Sequence, residues 1–313
     1  MSRAIRVEFS GACYHVMSRG VARMTTFRDD KDRRHFLAGV GGLVKSGVLV
    51  IHAYCLMPSH YHLLVSTPLG ELGRWMRHVN GDYARYFNLR YRRVGHLWQG
   101  RYKAILVDGE RYLLECSRYI HLNPNRARLT RPAERYRWSS YRNYVGGQSV
   151  VPWVEVDTVL ESFGGDGRAY RKYCESGKGE KQVSPFERAV AGLVLGGEAF
   201  VQRIGELVKG TADASDQPSR RALERHLLAD PAEVERATLK VFGQATRARQ
   251  RGLLLWAQRR FSALRTTEIA RRYDRGQSAV SMAYQAIERQ ARKDEQLAQA
   301  TDKLAALLRK SDK

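Results

Sequence analysis

The sequence predicts an α+β protein in which a sheet-containing first half is followed by an all-helical second half. Apolar residues in the first half follow both strand and helix spacing, whereas only helical spacing occurs from Phe186 onward. The predicted elements of the first half follow the order strand, helix, strand, strand, helix, strand. This is the order of a ferredoxin-like split unit, here with one further helix appended.

The elements of the ferredoxin-like part have recognisable boundaries. Asp29 is a suitable cap for a helix whose apolar residues lie at 36–43, and Gly47 ends it. Pro58 and Ser59 predict a turn between two strands. The remaining elements are strands at 13–19, 48–57 and 60–66, a helix at 71–88, an extended stretch at 96–107, and a last helix from about residue 110 to Pro124.

Composition divides the chain into three segments. We expect a first domain at residues 1–175, a linker with a bridging helix at 176–220, and a helical DNA-binding domain at 221–313. Glycine and polar residues at 175–184 and 210–219 mark the linker. In the last domain, Asp230, followed by Pro231 and then Glu233, predicts a helix start.

Charge indicates the class of partner. Lys and Arg total 54 against 32 for Asp and Glu, a formal net charge of +22. Such an excess attracts phosphate backbones, so nucleic acid is the expected partner. A membrane surface is less well supported, because Arg is spread along the chain rather than gathered in a compact basic run.

Cysteine usage and apolar runs predict a cytoplasmic protein. The four cysteines lie far apart without a CxxC pair, which favours reduced thiols over disulfides or a zinc ribbon. The first residues do not resemble a signal peptide. The longest apolar run, at 48–57, is too short to span a bilayer.

A pair of histidines on a predicted strand is the first candidate site. His60 and His62 are two residues apart, so they point to the same face of the sheet, about 7 Å apart. Two imidazoles placed in this way can bind one metal ion. Taken alone, such a pair is more often structural. His52, in a buried strand, is expected to pack or bond internally.

The predicted last helix of the first half contains the second candidate. Tyr119 and Asn123 are four residues apart, which places both on one helical face. Tyrosine becomes a useful nucleophile when a metal neutralises charge on a target phosphate. Tyr112 is an alternative that spacing does not exclude, and His121 lies on a different helical face from Tyr119.

Three separated stretches, taken together, resemble the REP-associated tyrosine transposases, in the single-tyrosine branch of the HUH endonuclease superfamily. They are PSHYHLLVS at 58–66, HLWQGRYKAILVD at 96–108 and RYIHLNPNRARL at 118–129. SRG at 18–20, FRDD at 27–30 and WSSY at 138–141 are similar to the same family. Tyr61 stands where these proteins usually carry an apolar residue, and it should point away from the two histidines.

The resemblance implies a metal-dependent single-stranded DNA endonuclease and strand transferase acting on hairpin DNA. Tyr119 would be the nucleophile, forming a 5′-phosphotyrosine link. His60 and His62 would bind Mg²⁺ or Mn²⁺, with Asn123 as third ligand. Joining would need no ATP, and no GxxxxGK[ST] phosphate loop occurs in the sequence. The protein would act as a monomer or a homodimer.

Several basic and aromatic residues are candidates for binding DNA. Arg101, Tyr102 and Lys103 suit phosphate binding and base stacking, although a solvated basic face is the alternative. Arg19 and Arg126 lie in the stretches that carry the resemblance and are further candidates.

The segment 266–290 has the short helix, glycine-containing turn and second helix of a helix-turn-helix. It is similar to the DNA-binding domain at the end of bacterial replication initiators, and would bind duplex DNA. Gln277, Ser278 and Ser281 would then enter a major groove. An ordinary helical hairpin with a basic surface is the alternative.

Two other functions are compatible with the sequence. The protein could be a non-catalytic, sequence-specific DNA-binding regulator derived from such a transposase, although all four candidate catalytic residues are present. It could also be a hydrolase using a metal-bound water. That class normally needs carboxylate or additional histidine ligands nearby, and residues 58–66 contain neither.

Overall fold

The computed structural model of the chain describes residues 6–147, 150–177, 184–209, 228–262 and 264–310. The chain divides into two compact units, residues 1–220 and residues 221–313. The predicted loop at 210–219 lies outside the described residues, as do residues 178–183 of the predicted segment at 175–184.

The first unit is built on one five-stranded sheet in the order β2–β3–β1–β4–β5. Its strands are β1 (Ala12–Arg19), β2 (Val50–Met57), β3 (His60–Thr67), β4 (Lys103–Val107) and β5 (Val194–Leu195). The first four strands pair antiparallel. Helix α1 (Asp30–Lys45) connects β1 to β2, and helix α2 (Leu72–Arg90) connects β3 to β4. The predicted α+β class and the ferredoxin-like strand order are confirmed.

The two faces of the sheet are covered by different helices. Helices α1 and α2 pack together on one face, where the rings of Phe36 and Tyr61 lie 4.7 Å apart between centroids. Helix α3 (Gly109–His121) packs on β2 and β3. Because side chains alternate between faces along a strand, this arrangement decides which residues of β3 meet α3.

Local signals set the helix boundaries where the sequence predicts them. The Asp29 carboxylate accepts a hydrogen bond from the Asp32 amide at 3.0 Å, which caps α1. Helix α3 ends at His121, before Pro124, and a separate short helix α4 (Asn123–Arg126) follows. The extended stretch expected at 96–107 is a regular strand only from Lys103, and Trp98 forms an isolated bridge with Gly20.

The first unit continues well beyond α4. It contains the helices α5 (Tyr141–Val145), α6 (Asp157–Leu160), α7 (Gly167–Ser176) and α8 (Glu198–Lys209). Strand β5 pairs parallel with β4, and the Leu106 amide donates to the Leu193 carbonyl at 2.8 Å. Part of the segment expected to be a linker is therefore built into the edge of the sheet. Sequence spacing does not predict this strand, because it is only two residues long.

The second unit is helical. It contains α9 (Pro231–Phe242), α10 (Arg247–Phe261), α11 (Thr266–Arg272), α12 (Gln277–Ala291) and α13 (Glu295–Lys310). Asp230 caps α9 by accepting from the Ala232 amide at 2.8 Å, as predicted. Helix α10 lies between two apolar clusters: Trp256 belongs to the larger one, and Leu255 packs with Ile269 and Val280 in the other.

Two further expectations concern the environment of the protein. All four cysteines are buried. Among the described residues, the helices are too short or too polar to cross a bilayer.

Candidate active site

Strand β3 places the two candidate metal ligands on the face covered by α3. His60 pairs with Arg19 of β1, and His62 pairs with Met17, so all four side chains share that face. The imidazole centroids of His60 and His62 are 5.1 Å apart. Tyr61 points the other way, as predicted: it is fully buried, and its hydroxyl donates to Oδ1 of Asn80 on α2 at 2.9 Å.

Helix α3 brings Tyr119 to the same face. The ring of Tyr119 is half-buried, and its centroid lies 6.2 Å from that of His62, with the two rings nearly perpendicular. Tyr112 lies two turns earlier, where it contacts the guanidinium groups of Arg111 and Arg188. Of these two tyrosines, Tyr119 is the one that the structure brings to the histidine pair.

Burial keeps the imidazoles of the site neutral. Desolvation and, to a smaller extent, the nearby Arg19 cation together lower the pKa of His60 to about 4. Desolvation also lowers the pKa of His62 well below its ordinary value, with His15, His60 and Arg126 adding to the effect. Neutral imidazoles have a free lone pair at neutral pH, which a metal ligand requires.

The Nδ1 atom of each candidate ligand has a hydrogen-bond partner. Nδ1 of His62 lies 2.9 Å from Nε2 of His15, and Nδ1 of His60 lies 3.2 Å from Oγ of Ser59. When each Nδ1–H donates in these bonds, Nε2 of His60 and Nε2 of His62 carry the free lone pairs. Metal-binding histidines typically donate their other ring N–H in this way.

Asn123 is held at the turn that carries the tyrosine. Its Nδ2 donates to the Tyr119 carbonyl at 3.0 Å, and Arg126 donates to its Oδ1 at 3.4 Å. The guanidinium of Arg126 also lies 3.7 Å above the centroid of the Tyr119 ring. The hydrogen bond to the Tyr119 carbonyl therefore fixes the Asn123 side chain relative to Tyr119, although α3 ends between the two residues.

The donor set fits a divalent cation with few protein ligands. In the described part of the chain, the structure has no cluster of three or more His, Cys, Asp or Glu side chains suited to a metal. A site on His60 and His62 would therefore draw its third protein ligand from an amide oxygen such as that of Asn123. The remaining positions would be open to substrate and water, as catalytic metal sites require.

The predicted DNA-binding residues of the first unit differ in their surroundings. Lys103 is exposed and pairs with Met17, which places it on the face of the histidine pair. Nε of Arg19 is buried without a protein hydrogen-bond partner. Arg101 is exposed. Tyr102 is 7% exposed, and the Arg6 guanidinium covers its ring at 3.9 Å. The expected stacking of Tyr102 on a base is therefore corrected, because its ring already packs inside the protein.

The helix-turn-helix candidates lie in the first turns of α12. Gln277 and Ser278 are exposed, whereas Ser281 is half-buried and accepts a hydrogen bond from Arg259 of α10 at 2.9 Å. Helices α11 and α12 pack together through Ile269 and Val280. The side chains of Gln277 and Ser278 are thus accessible to a partner, while the hydroxyl of Ser281 already accepts a hydrogen bond within the protein.

Two histidines that were not assigned to the site, His52 and His121, have hydrogen-bond partners inside the protein. His52 contacts Glu155 Oε2 at 2.7 Å and Ser66 Oγ at 2.8 Å. His121 is fully buried and contacts the Tyr170 hydroxyl at 2.7 Å and Ser140 Oγ at 2.8 Å.

Sequence reasoning missed two residues that touch the site. His15 is the hydrogen-bond partner of His62, and Phe186 stacks on His15 with centroids 3.7 Å apart. The signal for His15 was available: it lies on the predicted strand at 13–19, in the register that faces His62 diagonally. Phe186 had no such signal, because it follows α3 by 65 residues and lies outside the three motifs.

Comparison with known proteins finds a similarity in the first part of the chain. Residues 8–123 match the family model of the IS200-like transposases. The structure of a REP-associated tyrosine transposase bound to a REP hairpin is similar at 14% identity and a TM-score of 0.42, covering 51% of this chain and 93% of that one. No curated protein matches the chain. The family match confirms the resemblance to transposases over residues 8–123, while the helix-turn-helix function stays a prediction.

Proposed function

We propose, from the premise that residues 8–123 are an IS200-like transposase segment, that the protein cuts and rejoins single-stranded DNA through Tyr119. The observation that carries the proposal is the shared sheet face: the phenol of Tyr119 lies beside His62, at 6.2 Å between ring centroids. A phosphate that both groups could reach would meet a nucleophile on one side and a metal site on the other.

The metal would be Mg²⁺ or Mn²⁺, held by His60, His62 and Asn123. Bound there, the cation would withdraw charge from the target phosphate. The protein's own part is to keep the two imidazoles neutral by burial and to orient them through Ser59 and His15. Asn123 would deliver its amide oxygen from the turn that carries Tyr119.

The reaction is a transfer of one phosphoryl group. The phenol oxygen of Tyr119 bonds to phosphorus as the bond to the 3′ oxygen breaks, and the phenolic proton is balanced by protonation of the departing 3′ oxygen. The products are a 5′-phosphotyrosine link and a free 3′-hydroxyl. Because the phosphotyrosine ester conserves the energy of the phosphodiester, a second 3′-hydroxyl can reverse the step and join strands without ATP.

Basic residues around the site would hold the strand. Arg19 lies beside His60 on β1, and Lys103 projects from the same face of β4. Arg126 places a cation 3.7 Å above the centroid of the Tyr119 ring. With Arg101, these side chains form a basic border suited to the phosphates of a hairpin strand. Duplex DNA would bind separately, through Gln277 and Ser278 of the second unit.

The test is a covalent adduct assay. The full-length protein is incubated with a labelled single-stranded hairpin from its own genomic neighbourhood, with Mg²⁺, with Mn²⁺ or with a chelator, and run on a denaturing gel. We expect a metal-dependent protein–DNA adduct that Tyr119→Phe abolishes. Tyr112→Phe, a substitution of the same type on the same helix, should leave it intact.

The other outcomes discriminate between functions. An adduct formed by Tyr119→Phe would refute the assignment of the nucleophile. Tight DNA binding without cleavage would favour the non-catalytic regulator. Cleaved DNA without any protein linkage would favour a hydrolase using a metal-bound water.

A further inference from the structure

Phe186 contacts both halves of the candidate site from a segment outside the transposase match. Its ring lies parallel to that of His15, with centroids 3.7 Å apart and 7° between the planes. Its other contact is with Tyr119, at 5.2 Å between centroids and nearly perpendicular. His15 in turn bonds to His62 at 2.9 Å. One side chain thus connects the tyrosine with the partner of a metal ligand.

We propose that Phe186 is a positioning residue: it fixes the Tyr119 phenol relative to His62 by packing against Tyr119 and, through His15, against the ligand. The inference rests on the proposed function for its consequence in catalysis. The packing role itself concerns the orientation of Tyr119 and is measurable without any activity.

The chain around Phe186 is anchored to the elements that it would align. Pro185 is buried, and Arg188 forms an ion pair with Glu115, one turn before Tyr119 on α3. Further along, β5 pairs with β4 at the edge of the sheet. The segment is therefore tied to both the helix of the tyrosine and the sheet of the histidines, so Phe186 is placed relative to both.

The tyrosine needs such a support. Tyr119 lies near the end of α3 and is half-buried, so packing on few sides defines its ring. Arg126 covers one face of the ring at 3.7 Å, and Phe186 meets it nearly perpendicularly. Aromatic pairs favour edge-to-face geometry, which also restricts the orientation of the ring. A nucleophile displaced by about 1 Å from the in-line position can lose about 10²-fold in rate.

The experiment measures single-turnover adduct formation and hairpin affinity for three variants of the full-length protein. Phe186→Ala should slow adduct formation by about 10²-fold with hairpin affinity within about twofold of the unsubstituted protein. Phe186→Tyr, which keeps the flat ring, should restore the rate. Phe186→Leu keeps an apolar side chain without a flat ring and should remain slow.

The control is Phe200→Ala. Phe200 is another half-buried phenylalanine of the same unit, on α8, and its loss should leave the adduct rate unchanged. If Phe186→Ala does not fold, the comparison of Phe186→Tyr with Phe186→Leu decides. Equal rates for these two variants would overturn the proposal, as would a faster reaction of Phe186→Ala, which would make Phe186 an obstruction to DNA.

A second readout separates this inference from the proposed function. With 3-fluorotyrosine placed at position 119, the fluorine NMR signal reports the surroundings of that ring in the absence of DNA and metal. Phe186→Leu should move the signal toward that of free fluorotyrosine, and Phe186→Tyr should not. If the unsubstituted protein forms no adduct, the proposed function fails, and the NMR comparison alone still confirms or overturns the positioning role.

Discussion

The two units of this protein present their candidate functional groups in opposite ways. In the first unit, His62 is 4% exposed and is held by a strand, a hydrogen bond and a neighbouring helix. In the second, Gln277 and Ser278 are exposed on the first turn of α12. The first arrangement is the one that the proposed reaction would need, and the second is the one that the proposed contact with duplex DNA would need.

This difference teaches how each unit should respond to substitution. Buried, preorganised groups act together, so that the loss of one removes most of the function of the set. Exposed contacts to DNA each contribute a modest and roughly independent amount, and they weaken with salt. Substitutions in the first unit should therefore give nearly complete losses, and those in the second unit graded ones.

The largest expected effect is that of His62→Ala. Removing one ligand from the pair should slow metal-dependent adduct formation by about 10³-fold, because charge stabilisation by a metal contributes several kcal/mol. Single-turnover adduct formation in Mn²⁺ measures this. His78→Ala, an exposed histidine of α2, is the control and should react normally. A His62→Ala protein that reacts at the normal rate would show that the pair binds no catalytic metal.

The next largest effect concerns acidification, which should lower the free energy of unfolding of the first unit more than that of the second. Burial lowers the pKa of His121 to about 3, whereas in an unfolded chain it is about 6.5. Between these values the unfolded chain binds a proton that the folded chain excludes, so the free energy of unfolding falls as the pH decreases below about 6.5, by about 1.4 kcal/mol per pH unit. Above about pH 6.5 this contribution is constant.

Hydrogen exchange at pH 7.5 and at pH 5 measures this prediction unit by unit. The second unit, residues 221–313, contains one histidine, His226, whereas His121 and three other buried histidines lie in the first unit. The first unit should therefore lose more protection than the second. His121→Gln should reduce the loss in the first unit. Equal loss of protection in the two units would contradict the assignment of the effect to buried histidines.

A smaller and graded effect is expected at the helix-turn-helix. The double substitution Gln277→Ala, Ser278→Ala should weaken duplex binding by about tenfold, since a base contact contributes roughly 1–3 kcal/mol. Adduct formation on the hairpin should be unaffected. Fluorescence anisotropy on a duplex that the unsubstituted protein binds measures the affinity, with Gln299→Ala, an exposed glutamine of α13, as the control. An unchanged affinity would favour an ordinary helical hairpin.

The smallest effect concerns a helix cap of the second unit. Asp230 accepts hydrogen bonds from the amides of Ala232 and Glu233. Asp230→Ala should lower the stability of that unit by about 1 kcal/mol. Thermal unfolding measures it, and Asp302→Ala, an exposed aspartate of α13, provides the comparison. A melting temperature equal to that of Asp302→Ala would contradict the role of Asp230 as a cap.

Much of the site could be predicted from local chemistry. The spacing of His60 and His62 already required one shared face, because strand side chains alternate. Asp29 and Asp230 marked helix starts through their ability to accept from backbone amides. Each of these signals operates within a few residues, so the sequence contains all that is needed to read it.

The exceptions depend on distant partners. Tyr102 was expected to be accessible to DNA, but its ring is covered by Arg6, which lies far from it in the sequence. Strand β5 is too short for a sequence pattern and exists because β4 has a free edge beside it. In both cases the deciding contact joins residues that no periodicity links.

By itself, the sequence determined the kind of protein: a basic chain with two strand-borne imidazoles and a helix-borne phenol, set in a ferredoxin-like order of elements. Tertiary structure alone decided that Tyr119 rather than Tyr112 meets His62, that His15 orients this ligand, and that Phe186 packs against both halves. The reason is physical. Alternation and capping are local properties of the backbone, whereas a reactive site is defined by distances between chain segments that only packing brings together.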